Sequence, residues 1–449
     1  MAGPFCWYAV CIPPFLIQLQ MINIPESEKK RVVIIGCGFA GMKLARNLRN
    51  SGYQVVILDR YNYHQFQPLF YQVATSGLEP GSISFPLRKV FQHYTDFYIR
   101  LAEVNRVDAD KQQVWTSMGM LRYDYLVLAQ GAGNFFFGMK NMEEKAIPMK
   151  SIPEALTLRN QILKNFEKAL AYKTEEERAV FFNLVVVGGG PSGVEISGAL
   201  AEMIKNVIPK DFPELRQSHI NIHLIETTPR VLSSMSEKSS AKAKEFLERL
   251  GVTVKTGTSV RDFDGKVVTL SDQTTIQSGL VIWTAGIRVR RMDGLRDSSF
   301  HGNGRILVDR YNRITGYDRI FAIGDAALMK EERYQNGHPQ VAPVAQQQAA
   351  LLALNLKRLK NCREMAPFTY RDKGTMATIG RNLAVVDLPY AHFHGTFAWF
   401  VWMFVHLMSI VGTKNRIIIF LNWFWNYVTY DQSLRLILTP RDCHETQEE

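Results

Sequence analysis

Two stretches of this chain share one grammar, and that repetition limits its fold more than any other feature. Arg31-Val-Val-Ile-Ile35 runs into Gly36-Cys37-Gly38-Phe39-Ala40-Gly41, and Leu184-Val-Val-Val187 runs into Gly188-Gly-Gly190-Pro191-Ser192-Gly193. Each reads as a buried strand, a glycine turn and the opening of a helix. Further on, Tyr123-Asp-Tyr-Leu-Val-Leu-Ala129-Gln-Gly131 resembles Gly279-Leu-Val-Ile-Trp-Thr-Ala285-Gly286, so both pairs are offset by about 150 residues. A whole nucleotide-binding domain has been duplicated, rather than a short repeat.

The glycines have mechanical reasons. The first permits the tight turn, the second lets backbone approach a pyrophosphate, and the third lets helix pack on strand, so that the helix N-terminus faces the anion. One such string is weak evidence; two, each followed by an acid at the end of a second strand, are strong. The acids are Asp59, 23 residues after Gly36, and Glu226, 38 residues after Gly188. Both are placed to grip a ribose 2′-hydroxyl. The blander account of each is a solvated strand-end carboxylate. Glu226 would repel a 2′-phosphate and so favours NADH over NADPH, an inference that nearby Arg230 weakens. The longer second interval contains Pro209 and Pro213, which predict a loop after the helix.

Composition narrows the rest. The 449 residues, 46% hydrophobic and 21% charged, suit a globular chain of two to three domains. The net charge of +11 would suit nucleic acid or an anionic membrane. The basic residues are dispersed and no recognition signature is present, which argues against nucleic acid. The five cysteines (Cys6, Cys11, Cys37, Cys362, Cys443) include no C-x-x-C pair, so neither a metal site nor thiol chemistry is expected and a reducing compartment is. Met1 to Gln20 is apolar, lacks a basic leader and contains Pro13-Pro14, a poor signal peptide; we expect translation to begin at Met21.

Two dinucleotide sites imply one tightly held flavin and one exchanging nicotinamide. Over about residues 31 to 390 the chain resembles the glutathione-reductase-like flavoproteins with two dinucleotide-binding domains. The string from Gly304 to Gly324-Asp325-Ala326 is similar to that superfamily's second flavin fingerprint, and the resemblance implies that Asp325 contacts the ribityl chain. No cysteine lies between Cys37 and Cys362, which sets aside the disulfide reductases and the sulfide:quinone oxidoreductases.

The chain most resembles the type II NADH dehydrogenases. Asn62-Tyr-His64-Gln-Phe66-Gln67-Pro68-Leu69-Phe-Tyr71-Gln72-Val73-Ala74 is similar to that family's string after the first acidic strand, and Gly188-Gly-Gly-Pro-Ser-Gly-Val-Glu195 differs from its counterpart by Ser for Thr. The resemblance implies that Glu195 lies near the nicotinamide and flavin; alternatively it is an acid stabilised by a helix dipole. It also implies a quinone-site helix from about Pro343 that carries Gln347 and Gln348, although the family's leading Gln is replaced at Ala342-Pro343. A merely polar helix face is the alternative. Met376 to Arg381 fits the family's segment returning to the flavin.

From Thr396 the character changes. Phe397 to Val411 carries no Asp, Glu, Lys or Arg, Lys414 and Arg416 follow, and Ile417 to Tyr430 is again apolar and aromatic. Neither run spans a bilayer, since 15 helical residues reach about 22 Å of roughly 30 Å. Trp399, Trp402, Trp423 and Trp425, with Tyr427 and Tyr430, suit the headgroup boundary, so we read two in-plane anchor helices. A buried helical pair or a dimer interface is the alternative.

The expectation is therefore an α/β chain: two Rossmann-like dinucleotide-binding domains plus a C-terminal helical membrane-anchoring segment. Its parts are an extension (1–30), a flavin domain in two pieces (31–165 and 301–390), an NADH domain (166–300) and the anchor (391–449). The cofactor-binding set is Gly36, Gly38, Phe39, Ala40, Gly41, Asp59, Gln72, Ala129, Gly131, Gly324 and Asp325 for FAD, and Gly188, Gly190, Pro191, Ser192, Gly193, Glu226, Ala285 and Gly286 for NADH. Glu195, Gln347 and Gln348 are the catalytic candidates. The resemblance implies hydride transfer from NADH to FAD, then two electrons to a membrane quinone; no proton-conducting transmembrane path is read in the sequence, so no pumping is expected, and the lack of an Arg-rich transit peptide favours the cytoplasmic face of a bacterial inner membrane. A homodimer is left open. Two other readings stand beside it: an NADH-sensing flavoprotein of the apoptosis-inducing-factor kind, and a reductase for a ferredoxin or rubredoxin.

Overall fold

The structure, a computed structural model, describes residues 20–429 and 434–438. The expectation about Met1 to Gln20 falls, apart from Gln20, outside the described residues, as does Tyr430. The chain divides into two compact units of three segments each. One comprises the chain to His64, Pro86–Gly133 and Arg288–Arg371; the other comprises Gln65–Phe85, Asn134–Ile287 and Asp372 onward. The sheet of the first unit is completed by a strand that follows the whole second repeat, and the unit limits fall at other residues than the expected 165, 300 and 390.

That first sheet is parallel throughout, in the order Ile320–Ala322, Tyr125–Leu128, Arg31–Ile35, Gln54–Asp59, Phe97–Leu101. Runs of Val, Ile and Leu without alternation are what a sheet covered on both faces requires. Val32 and Ile34 pack with Leu44, Leu352 and Leu356 of the helices Phe39–Asn47 and Ala342–Lys360. Val33 and Ile35 face Val107, Val114 and Leu121 of a three-stranded antiparallel sheet, Val104–Asp108, Gln113–Thr116 and Gly119–Arg122.

The second unit repeats the plan. Its parallel sheet runs Ile147–Pro148, Leu280–Trp283, Asn183–Val187, Asn221–Ile225, Val252–Lys255. Val185 and Val187 pack on Phe263, Val268 and Leu270 of the antiparallel strands Val260–Phe263 and Val267–Leu270. The stretch with Pro209 and Pro213 is not an open loop: it folds as a short helix, Ile208–Asp211, and a helical turn, Pro213–Leu215. Proline without its N–H is at home in a first helical turn, so each begins one.

This unit also holds a C-terminal antiparallel sheet, Thr375–Gly380, Leu383–Leu388 and Ala391–His394, and two helices, Thr396–Ser409 and Thr413–Thr429. No described helix is long and apolar enough to cross a membrane. The tryptophans correct the sequence expectation. Trp402 and Trp423 are buried, Trp399 is half-buried, and Trp425 alone of the four is exposed. What the pair presents outward is instead mostly phenylalanine and aliphatic: Phe397, Phe400, Phe404, Ile417, Phe420 and Phe424.

Candidate functional site

In the first unit the glycine turn is held by contacts that leave no room for a side chain. Gly36 has φ of +90°, and a Cβ there would come within 2.5 Å of the Ala129 carbonyl oxygen; one on Gly41 would lie 1.9 Å from the Gly36 oxygen. Asp59 is no solvated strand end: its carboxylate accepts the N–H of Cys37 at 2.6 Å and that of Tyr61 at 2.8 Å. Burial nonetheless pushes its pKa up against these bonds. Phe39 meets the buried His64 ring edge-on, and His64 Nδ1 lies 3.0 Å from the Cys37 carbonyl.

The edge of this turn is open, since nothing lies within 4 Å of where Gly38 or Gly131 would carry a Cβ. Beside Gly131, both polar atoms of the Gln130 amide are buried and find no hydrogen-bond partner among the described residues. A buried amide in that state costs about 1–3 kcal/mol, which a polar ligand would recover. These features fit a dinucleotide such as FAD. At the other end, the Gly324 N–H donates to Gln348 Oε1 at 2.8 Å, and a Cβ on Gly324 would come within 3.1 Å of that of Ala40. Gln348 is thus a buried brace of the Gly324-Asp325 turn. Gln347 exchanges two hydrogen bonds of 3.0 Å with the Arg371 backbone.

The second unit repeats the turn with Gly188 at φ of +107° against Ala285, and with Gly193 1.8 Å, by its would-be Cβ, from the Gly188 oxygen. Glu226 plays the part of Asp59, accepting the N–H of Gly189 at 2.5 Å and of Thr228 at 2.7 Å. Gly190 is open, Pro191 and Ser192 are exposed, and the helix Pro191–Asn206 starts without a side-chain cap. Its free N–H groups and dipole suit a pyrophosphate.

Glu195 lies in the second turn of this helix, not the first, so the dipole account has little hold on it. It is buried, and desolvation pushes its carboxyl well above the usual carboxylate range; the Thr378 main chain is the one opposing hydrogen bond. Two cavities meet at it. The larger, about 900 Å³, is walled by Glu202, Arg381, Trp402, Trp423 and Tyr427, and the smaller, about 500 Å³, by Ser192, Trp283, Ala285 and Gly286; Tyr71 and Glu195 line both.

The wall of the larger cavity is tied by polar contacts. Trp423 Nε1 donates to Gln72 Oε1 at 2.8 Å, and Gln72 Nε2 donates to the Tyr71 hydroxyl at 2.8 Å. Arg381 donates from its main chain to Glu202 and from its side chain to the Tyr427 carbonyl, with its guanidinium 4.0 Å from the Tyr427 ring centre. Sequence reading singled out Gln72 but not Tyr71, Glu202, Arg381 or the inward tryptophans as site residues. The spacing of Glu202 from Glu195, seven positions on one helix, was the available signal. Among the described residues no cluster of three or more His, Cys, Asp or Glu could hold a metal.

Comparison with known proteins agrees with this geometry. Residues 30–349 match the pyridine nucleotide-disulphide oxidoreductase family, and 373–429 match the NDH2 C-terminal domain. The type II NADH:quinone oxidoreductase Ndh of Mycobacterium tuberculosis is 34% identical, over 92% of this chain and 91% of its own. This chain belongs to the type II NADH:quinone oxidoreductases. A mitochondrial internal alternative NAD(P)H-ubiquinone oxidoreductase of Arabidopsis thaliana is 30% identical over 90% of the chain and 85% of its own length. The fold of this oxidoreductase matches NDH2 of Plasmodium falciparum, solved in complex with NADH, with a TM-score of 0.84 at 20% identity, covering 92% of this chain and all of that one.

Proposed function

We propose that this oxidoreductase passes two electrons from NADH to a membrane quinone, with the nicotinamide at the smaller cavity and the quinone in the larger. The observation that carries this reading is the shared wall of Tyr71 and Glu195, which puts two binding spaces within reach of one buried acid. FAD, when bound, supplies the two-electron relay between the two substrates.

In the first unit, Gly36, Gly38, Phe39, Ala40, Gly41, Asp59, Ala129, Gly131, Gly324 and Asp325 hold the FAD. Gln348 acts from behind, fixing the Gly324 turn, and Gln347 fixes the helix against Arg371. In the second unit, Gly188, Gly190, Pro191, Ser192 and Gly193 receive the NADH pyrophosphate, Glu226 the ribose, and Ala285 and Gly286 the nicotinamide. Glu195, whose carboxyl pKa is pushed up by burial, is a proton donor beside the quinone. Gln72 orients the Tyr71 hydroxyl and Trp423 at the wall.

The exposed faces of Thr396–Ser409 and Thr413–Thr429 lie in the membrane surface, with Lys414 and Arg416 toward anionic headgroups at the cytoplasmic face of a bacterial inner membrane, and a homodimer is compatible with this. Because Trp402 and Trp423 also wall the cavity, deleting the tail would damage the site. Phe404→Asp with Phe420→Asp should instead move the protein from the membrane to the soluble fraction with its flavin retained; continued sedimentation with membranes would refute the anchor. In sealed vesicles quinone reduction should proceed without acidifying either side.

The direct test of the function is anaerobic. NADH should reduce the bound flavin, and a short-chain menaquinone or ubiquinone should reoxidise it through many turnovers, with NADPH the poorer donor. A long-lived reduced complex would favour the NADH-sensing reading, and turnover only with a ferredoxin would favour the protein-acceptor reading.

A further inference from the structure

Reducing a quinone to a quinol forms two O–H bonds, yet Glu195 can break only one. A second acid lies on the same helix face, seven residues on, two turns and about 10 Å along the axis. Glu202 is half-buried and lines the larger cavity with Glu195. We propose that Glu202 delivers the second proton to the quinone, while Glu195 delivers the first. The inference rests on the reading of that cavity as the quinone site.

The local structure is built around this carboxyl. Position 380 is glycine where a Cβ would come within 2.9 Å of Glu202 Oε1, and the Arg381 N–H donates to that same oxygen. One oxygen is thereby fixed, which aims the other. The charged and titratable groups facing it are Arg381 at the end of the strand Thr375–Gly380, and Tyr71 on the helix Phe70–Ala74. Burial raises the Glu202 pKa against the lowering by the Arg381 hydrogen bond and charge. The two carbonyl oxygens of a quinone point from opposite ends of its ring, and the two acids that line the cavity are set two helical turns apart. NADH oxidation supplies two electrons and one proton, which is released to water; one proton leaves each carboxyl for one quinone oxygen, and each carboxylate takes a proton back from water, so that one proton is consumed net.

The test uses the full-length flavin-loaded enzyme and its Glu202→Gln and Glu202→Asp variants, mixed anaerobically with NADH and then with a short-chain ubiquinone. Glu202→Gln should leave flavin reduction by NADH within about twofold and slow reoxidation by about a hundredfold, the usual scale of a lost general acid. Wild-type reoxidation should slow as pH rises and the carboxyls ionise, and one limb of that profile should vanish in Glu202→Gln while Glu202→Asp restores part of it. The infrared difference spectrum on quinone reduction should lose a protonated-carboxyl band in Glu202→Gln. Unchanged reoxidation rate, pH profile and carboxyl bands would overturn the proposal. If the wild type is not reoxidised by quinone at all, the cavity reading fails instead. Should Glu202→Gln lose its flavin, the Glu202→Asp spectrum decides, a shifted band supporting the role and an unmoved one opposing it.

Discussion

The two dinucleotide folds share a sheet order and a glycine turn, yet their glycine helices meet different surroundings. Aligned on Gly41 and Gly193, Lys43 stands where the second copy has Glu195, and Arg46 where it has Gly198; both first-copy residues are exposed. In the second copy the same helix face is covered by the strand Thr375–Gly380, so closely that a Cβ on Gly198 would fall 1.5 Å from the Ile379 oxygen. The first helix has 9 residues and the second 16, long enough to carry Glu202 into the covered region. In the second copy alone the helix that carries the acids is thus covered by a strand.

The largest effect should come from the lid contact itself. Gly198→Ala forces a methyl into the Ile379 backbone and should cost about 2–4 kcal/mol in denaturant unfolding, within the range for overpacking and backbone strain. A near-neutral result would mean that the strand does not press on this helix.

Next comes the tether of the C-terminal sheet. Asp387 accepts the Ser236 N–H at 2.6 Å and the Ser239 hydroxyl at 2.6 Å, and faces His392 Nδ1 at 2.8 Å. Asp387→Ala strands these donors and should lose about 2–3 kcal/mol. Its pKa is lowered by the same hydrogen bonds against burial, so the stability it supplies is present at neutral pH and lost as pH falls through the carboxylate range.

Acid should also loosen the first C-terminal helix. Desolvation lowers the His406 pKa to about 4, and its ring is stacked 4.1 Å from that of Trp402. The unfolded chain takes up this proton from about pH 6.5 downward while the folded one resists until about 4, so stability falls across that window. A loss of about 2–3 kcal/mol is expected between those limits. His406→Gln should flatten the pH dependence of Tm there; an unaltered slope would remove His406 as its source.

A smaller effect separates the two acids of the turns. Glu226→Gln should raise the ratio of NADPH to NADH turnover by about tenfold, a change of about 1.4 kcal/mol. Asp59→Asn should not shift that ratio in whatever flavin-loaded fraction survives. The smallest effect is the control for Gly198: Arg46→Ala on the exposed face should change stability by no more than about 0.5 kcal/mol.

Much of this could be read from sequence. Both glycine turns, their strands and their acids are local patterns whose geometry follows from backbone sterics, and the helix expected from about Pro343 runs Ala342–Lys360. A flavin domain split around the NADH repeat was already an expectation from the sequence, but the strand order was not legible, because it depends on pairings nearly 200 residues apart, such as Phe321 with Val127. Nor was the direction of the tail tryptophans: an aromatic-rich run reads alike whether it faces lipid or a cavity, and only the Trp423 bond to Gln72 distinguishes them. The glutamines at 347 and 348 were legible as a pair, but not their main-chain partners, which come from distant turns.

The most direct test of the covered second copy as the reaction site is a crystal structure of the flavin-loaded enzyme with a short-chain ubiquinone. The quinone ring should lie in the larger cavity, among Gln72, Glu195, Trp402 and Trp423, with one carbonyl toward Glu195. A ring bound in the first unit, beside Gln347 and away from both acids, would contradict the account.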